Sequence, residues 1–133
     1  MYKRQGLQLP KTFEDLLALA DKGLVAFAGI PIDVLMNFYT LCCSLGEDPC
    51  QNDEEVVSQE LGVEVLKMYR ELASKMDKAN FSRNPIQVYE AMTITDEIAY
   101  CPFAYGYSNY SRNGYARKAV SYTHLTLPTK RIV

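Results

Sequence analysis

The tyrosine-rich segment, residues 100–115, has the residue types best suited to binding chemistry. It holds five of the ten tyrosines of the chain, interleaved with Gly, Ser and Asn. Each tyrosine offers an apolar ring face and a hydroxyl that both donates and accepts hydrogen bonds, which suits a ligand such as a sugar ring. The same composition is typical of a strand edge and turn whose tyrosines are only half-buried. The segment by itself leaves a binding site and a structural role open.

Asp33 is a second candidate for binding chemistry. It follows a short apolar run, residues 24–29, and a turn that contains Pro31. In open α/β sheets, ligands bind beyond the carboxyl ends of the strands, where such a turn lies. Asp33 could cap the helix that follows, or it could accept hydrogen bonds from ligand hydroxyls. Both roles stay open.

Cysteine and histidine usage argues against metal sites and histidine-dependent catalysis. The four cysteines, Cys42, Cys43, Cys50 and Cys101, form no C-x-x-C pair. The sole histidine, His124, lies in the C-terminal segment that we interpret below as non-native. We therefore expect no metal site and no cofactor. The adjacent pair Cys42 and Cys43 is predicted to pack as small apolar groups. A disulfide from Cys50 stays open, because spacing does not decide it.

The acidic loop 46–55 lacks the calcium-loop pattern and is interpreted as a solvated loop.

Both ends of the chain resemble translated sequencing adapters. Residues 1–5 match a transposase-type adapter, and residues 120–129 match the same adapter read outward. Such segments have to be excluded from reasoning about the fold. We therefore expect residues 1–5 and 119–133 to be adapter-derived and non-native, and residues 6–118 to be an internal fragment of a longer protein.

The charge of residues 6–118 argues against nucleic-acid binding. The tails hold four of the 14 basic residues and none of the 16 acidic ones, so 10 basic residues face 16 acidic ones, a formal charge of −6. An acidic domain without a cluster of Lys and Arg repels phosphate backbones. The length fits one domain or one lobe of something larger. No apolar run approaches the roughly 18 residues of a membrane span.

The elements that would position these residues are predicted to alternate between helix and strand. Capping boxes mark two helix starts, at Thr12 with Asp15 and at Asn84 with Gln87. The run 24–29 is typical of a strand covered on both faces, and residues 34–45 are predicted to be a buried helix. The order helix, strand, helix, helix, helix, strand indicates an α/β class with a parallel or mixed sheet.

Further positions define the predicted helices and the last strand. The first helix has an apolar face and ends at Gly23 in a left-handed conformation. Ser58 is predicted to cap a long amphipathic helix that reaches about Met76, the last helix is predicted to end near Thr93, and residues 97–103 return as a strand. The predicted buried positions are Phe13, Leu16, Leu17 and Ala20 on the first helix, and Val65, Tyr69, Leu72 and Met76 on the long one.

Residues 9–17, Leu-Pro-Lys-Thr-Phe-Glu-Asp-Leu-Leu, resemble a known family motif. The motif is the Pro-x-Thr-Trp-x-Glu-Leu entry of extracellular solute-binding proteins of sugar ABC transporters, the family that includes maltose-binding protein. The elements that follow agree in order and spacing, and the resemblance covers essentially residues 6–118, which is part of a family member. Phe13 stands where Trp is commoner, and the chain has no Trp for sugar stacking.

The resemblance implies part of one lobe of a type II periplasmic-binding-protein fold. Two such α/β lobes close on a ligand in the cleft between them. The implied function is the substrate-binding component of an ABC importer, which binds a sugar or related small polar solute without chemistry. Tyr105 and Tyr107 would be stacking platforms, and Asp33, Asn109 and Tyr110 would be hydrogen-bonding partners.

The resemblance also implies partners and a location. The partners would be a small-molecule solute, in the first place a carbohydrate, and the permease subunits of the transporter. The location would be extracytoplasmic, either in the periplasm or as a lipoprotein on the outer face of the cell membrane. Contact with the membrane would come only from a lipid anchor outside this chain.

Two other functional classes stay open. An enzyme on a two-lobed α/β scaffold would act on a glycan or small metabolite, but Asp96 and Glu97 are adjacent and would point to opposite faces of a strand. No nucleophile elbow, P-loop or dinucleotide fingerprint is present. A protein-interaction module would use the tyrosine-rich segment as its interface. Aromatic side chains that line a cleft favour the transport receptor, whereas a flat exposed patch favours the interaction module.

Overall fold

The computed structural model describes residues 7–103, which are mostly helical. The terminal segments that we interpreted as adapter-derived, residues 1–5 and 119–133, lie outside the described residues. The described elements are α1 (Phe13–Asp21), α2 (Pro31–Ser44), α3 (Gln59–Ser74), a short 3₁₀ helix (Lys78–Ser82) and α4 (Pro85–Ile94).

Helix α1 begins with the predicted capping box. The Thr12 hydroxyl accepts a hydrogen bond from the Asp15 amide at 3.1 Å, and the Asp15 carboxylate accepts one from the Thr12 amide at 3.2 Å. The amides of Lys11 and Thr12 donate to this carboxylate and hold the pKa of Asp15 below its ordinary value. After the helix, Gly23 has a φ of +70°, so the predicted left-handed stop is confirmed.

Helix α2 begins earlier than we predicted. It starts at Pro31, its N-cap is Ile30, and no side chain caps it. The interpretation of Asp33 as the N-cap is therefore wrong, because Asp33 lies inside the first helical turn. Proline suits this first position since its ring fixes φ and it has no amide hydrogen to leave unpaired. Gly46, with a φ of +101°, follows the end of the helix.

Helices α3 and α4 follow the predictions closely, with one exception at Ser58. Ser58 is the N-cap of α3, but its hydroxyl donates to the Glu47 carboxylate at 2.7 Å and makes no cap bond to the helix. Helix α3 ends at Ser74, two residues before Met76. Helix α4 has the predicted capping box, with both bonds between Asn84 and Gln87 at 2.9 Å.

The buried positions of α1 and α3 also follow the predicted stripes, with one substitution. On α1, Leu17 is only partly buried and Leu19 takes its place in the core. The other predicted positions are all buried: Phe13, Leu16, Ala20, Val65, Tyr69, Leu72 and Met76. The apolar spacing therefore located the core-facing sides of both helices.

Strand pairing in the described part of the chain is confined to a parallel bridge between Val25 and Tyr100. The Ala26 amide donates to the Tyr100 carbonyl at 3.1 Å, and the Tyr100 amide donates to the Leu24 carbonyl at 3.0 Å. The two segments predicted as strands therefore lie side by side and run in the same direction. Their regular pairing is shorter than the predicted ranges 24–29 and 97–103.

Helices cover both sides of this paired backbone. Side chains alternate along the segment 24–29, so that Val25 and Phe27 lie in one apolar cluster and Ala26 and Ala28 lie in another. The first cluster includes buried residues of α1, α2 and α3, and the second includes those of α4. The rings of Phe27 and Phe103 pack edge-to-face with centroids 5.7 Å apart.

The four cysteines all lie within the described residues and form no disulfide there. Cys42 and Cys101 are buried, and burial raises the pKa of each thiol to about 11. Cys43 is half-buried and Cys50 is exposed. The burial of Cys42 agrees with its predicted role as a small apolar core group.

Candidate functional site

The candidate site lies where the backbone leaves the parallel bridge and enters α2. Gly29 comes immediately before this entry, and its amide donates to the Arg83 carbonyl at 3.1 Å. A Cβ atom on Gly29 would lie 2.4 Å from the Asn80 carbonyl oxygen and 2.6 Å from the Phe81 Cα. The 3₁₀ helix is therefore pressed against the start of α2, at a distance that only glycine permits.

Asp33 is the predicted site residue that the described structure contains. It lies in the first turn of α2 and is half-buried. Its Oδ2 atom is shielded from solvent and has no hydrogen-bond donor among residues 7–103. Desolvation raises the pKa of Asp33 above its ordinary value of 3.8. An ionised carboxylate can only accept hydrogen bonds, so Asp33 has the capacity to take a hydroxyl or amine donor from a ligand.

Apolar side chains surround this end of α2. Ile32 is 61% exposed, and Leu35 and Met36 are each 43% exposed. Their spacing of three and four residues places them on one side of the helix, which we call the outer face of α2. Phe81, 46% exposed, belongs to the 3₁₀ helix whose backbone touches Gly29. The site thus combines one acidic acceptor with exposed apolar side chains.

Asn37 fixes the position of α2, and the sequence analysis missed it. Its side-chain amide is buried and donates to the Ala28 carbonyl and to the Tyr69 hydroxyl, both at 3.2 Å. These two bonds join α2 to the end of the bridge segment and to α3. The signal was present in the sequence, because an amide in the middle of an apolar helix has to find buried partners.

The other predicted ligand-binding residues, Tyr105, Tyr107, Asn109 and Tyr110, lie outside the described residues. The described chain ends at Phe103, which is buried against Phe27. The backbone bends at residues 102 and 103, just after the bridge between Val25 and Tyr100, and the Phe103 ring packs on Phe27, next to Ala28. Phe103 therefore lies at the end of the paired segments from which α2 also starts.

Other features of residues 7–103 add no second site. No group of His, Cys, Asp and Glu within these residues could hold a metal ion. An open concavity on α3 is lined by Gln59, Glu60, Val63, Glu64 and Lys67, and it includes none of the predicted site residues. Within the described range, no helix has both the length and the apolar character that crossing a bilayer requires.

Comparison of the chain with models of protein families, with curated proteins and with solved structures found no match. The resemblance to solute-binding proteins therefore rests on the sequence motifs given above and on the order of the elements.

Proposed function

We propose that residues 6–118 form part of one lobe of a type II periplasmic-binding-protein fold, in the α/β class. The protein is then the substrate-binding component of an ABC importer. It binds a sugar or related small polar solute in an interlobe cleft without chemistry. The observation that carries the proposal is the carboxylate oxygen of Asp33, which has no donor among the described residues, at the start of α2.

The position of Asp33 supports the proposal through the geometry of the parallel bridge. Ligands of α/β proteins bind beyond the carboxyl ends of parallel strands. Asp33 follows that end of one paired segment, and Phe103 lies at that end of the other. The tyrosine-rich segment continues from Phe103, so the proposed stacking residues Tyr105 and Tyr107 follow in sequence from the same place.

The chemistry of binding needs two kinds of group. Apolar faces of sugar rings stack on aromatic faces, the role that we assign to Tyr105 and Tyr107. Ligand hydroxyls pair with fixed polar groups, the role that we assign to Asp33, Asn109 and Tyr110. A hydroxyl that donates to Asp33 replaces a missing hydrogen bond, so this contact favours the bound state by more than an ordinary surface hydrogen bond.

Closure of two lobes on the solute would present a surface to the permease subunits. The proposal places the protein on the extracytoplasmic side, in the periplasm or on the outer face of the cell membrane through a lipid anchor.

The genomic sequence on both sides of residues 6–118 tests the assignment to this family. We expect an export signal or lipoprotein signal upstream, a second lobe in the same reading frame and permease genes nearby. A complete short frame without an export signal would overturn the proposal, as would a native frame that runs through residues 119–133.

Binding by the longer protein tests the site. We expect calorimetric titration with mono- and oligosaccharides to find a ligand, and Asp33→Asn to weaken its binding by about tenfold or more, because a charged acceptor is lost. Asp53→Asn, a change in the exposed loop before α3, is the matched control and should leave the affinity unchanged. Equal affinity of Asp33→Asn and the unchanged protein would remove Asp33 from the site.

A further inference from the structure

We draw no further inference here: the strongest candidate, the outer face of α2 at Ile32, Leu35 and Met36, adjoins the site already described, and nothing in residues 7–103 shows what covers it.

Discussion

The carboxylate of Asp33 has two opposing influences on it. Its place in the first turn of α2 favours a negative charge, because the helix dipole is positive there. Its shielded Oδ2 atom has lost water without gaining a donor among the described residues, and this desolvation raises the pKa. A group of this kind is typical of binding sites, where stability is lost so that a ligand can supply the missing bond.

Asp33→Asn should therefore stabilise the protein without ligand at pH 7, by about 0.5–1 kcal/mol. Because the pKa is raised in the folded state, the stability that this group contributes is fully present at low pH and is lost as pH rises through the folded pKa. The gain should disappear near pH 3. Urea unfolding at both pH values measures it, with Asp53→Asn as the control. A loss of stability at pH 7 would show that the helix dipole outweighs desolvation.

Asn37→Ala should destabilise the protein by about 2–3 kcal/mol, because it removes two buried hydrogen bonds and leaves a cavity. The exposed amide Gln59, on α3, offers a control: Gln59→Ala should change the free energy of unfolding by no more than about 0.5 kcal/mol. Urea unfolding of both variants provides the comparison. Similar small effects in both would mean that Asn37 does not hold α2 in place.

At the scale of elements, the contact between Gly29 and the 3₁₀ helix sets the entry to α2. Gly29→Ala puts a methyl group 2.4 Å from the Asn80 carbonyl oxygen, and backbone atoms cannot move aside cheaply. We expect a loss of about 1–3 kcal/mol in the free energy of unfolding.

Gly62→Ala is a matched control for that substitution. Gly62 lies within α3, and its added methyl would meet only the side chain of Val57, at 3.3 Å. Because alanine favours helix more than glycine does, this change should be neutral or stabilising by up to about 1 kcal/mol. Thermal unfolding of the two variants should shift in opposite directions or differ clearly; equal shifts would contradict the tight contact at Gly29.

The loop before α3 is joined to that helix by Glu47. Its carboxylate accepts hydrogen bonds from the amide and the hydroxyl of Ser58, and these donors lower the pKa of Glu47 below its ordinary value of 4.5. A lowered pKa means that the contribution to stability is present above the ordinary value and is lost as pH falls through the folded value. In the Glu47→Gln variant, the free energy of unfolding should therefore fall less steeply as the pH is lowered from about pH 5 to about pH 3. An unchanged acid limb in chemical unfolding would show that the pairing with Ser58 contributes nothing.

At the scale of the whole molecule, the outer face of α2 is unusual for a surface helix. The sequence of α2 contains a single charged residue, Asp33. The outer-face residues Ile32, Leu35 and Met36 stay exposed. Helices that are apolar on all sides are normally buried. The described residues therefore leave apolar surface in water that contributes nothing to stability.

We expect the isolated 133-residue chain to be only marginally stable, with a free energy of unfolding below about 5 kcal/mol. Circular dichroism during heating and urea titration measures this. A cooperative transition with a high midpoint would contradict the prediction. Leu35→Asp on that face should change the free energy of unfolding little, because Leu35 is exposed. Strong destabilisation would show that the chain buries this face.

The sequence by itself determined the features whose partners are local. The capping boxes at Thr12 and Asn84, the left-handed Gly23 and the buried stripe of α3 were all predicted, because each depends on residues within about four positions or on helical period. The same patterns predicted an α/β class, which stays a prediction: residues 7–103 are mostly helical, with a parallel bridge between Val25 and Tyr100. In the site, the sequence singled out Asp33 and the tyrosine-rich segment as candidates.

Only the tertiary structure decided the contacts between distant residues. Asn37 meets partners nine and 32 positions away, and the Ser58 hydroxyl binds Glu47, 11 positions away, where helix propensity predicted a cap. The close approach of Gly29 to Asn80 depends on how the 3₁₀ helix packs against the bridge segment. The desolvated state of Asp33 is likewise a property of the tertiary structure, because burial of an oxygen atom depends on neighbours that no local pattern contains.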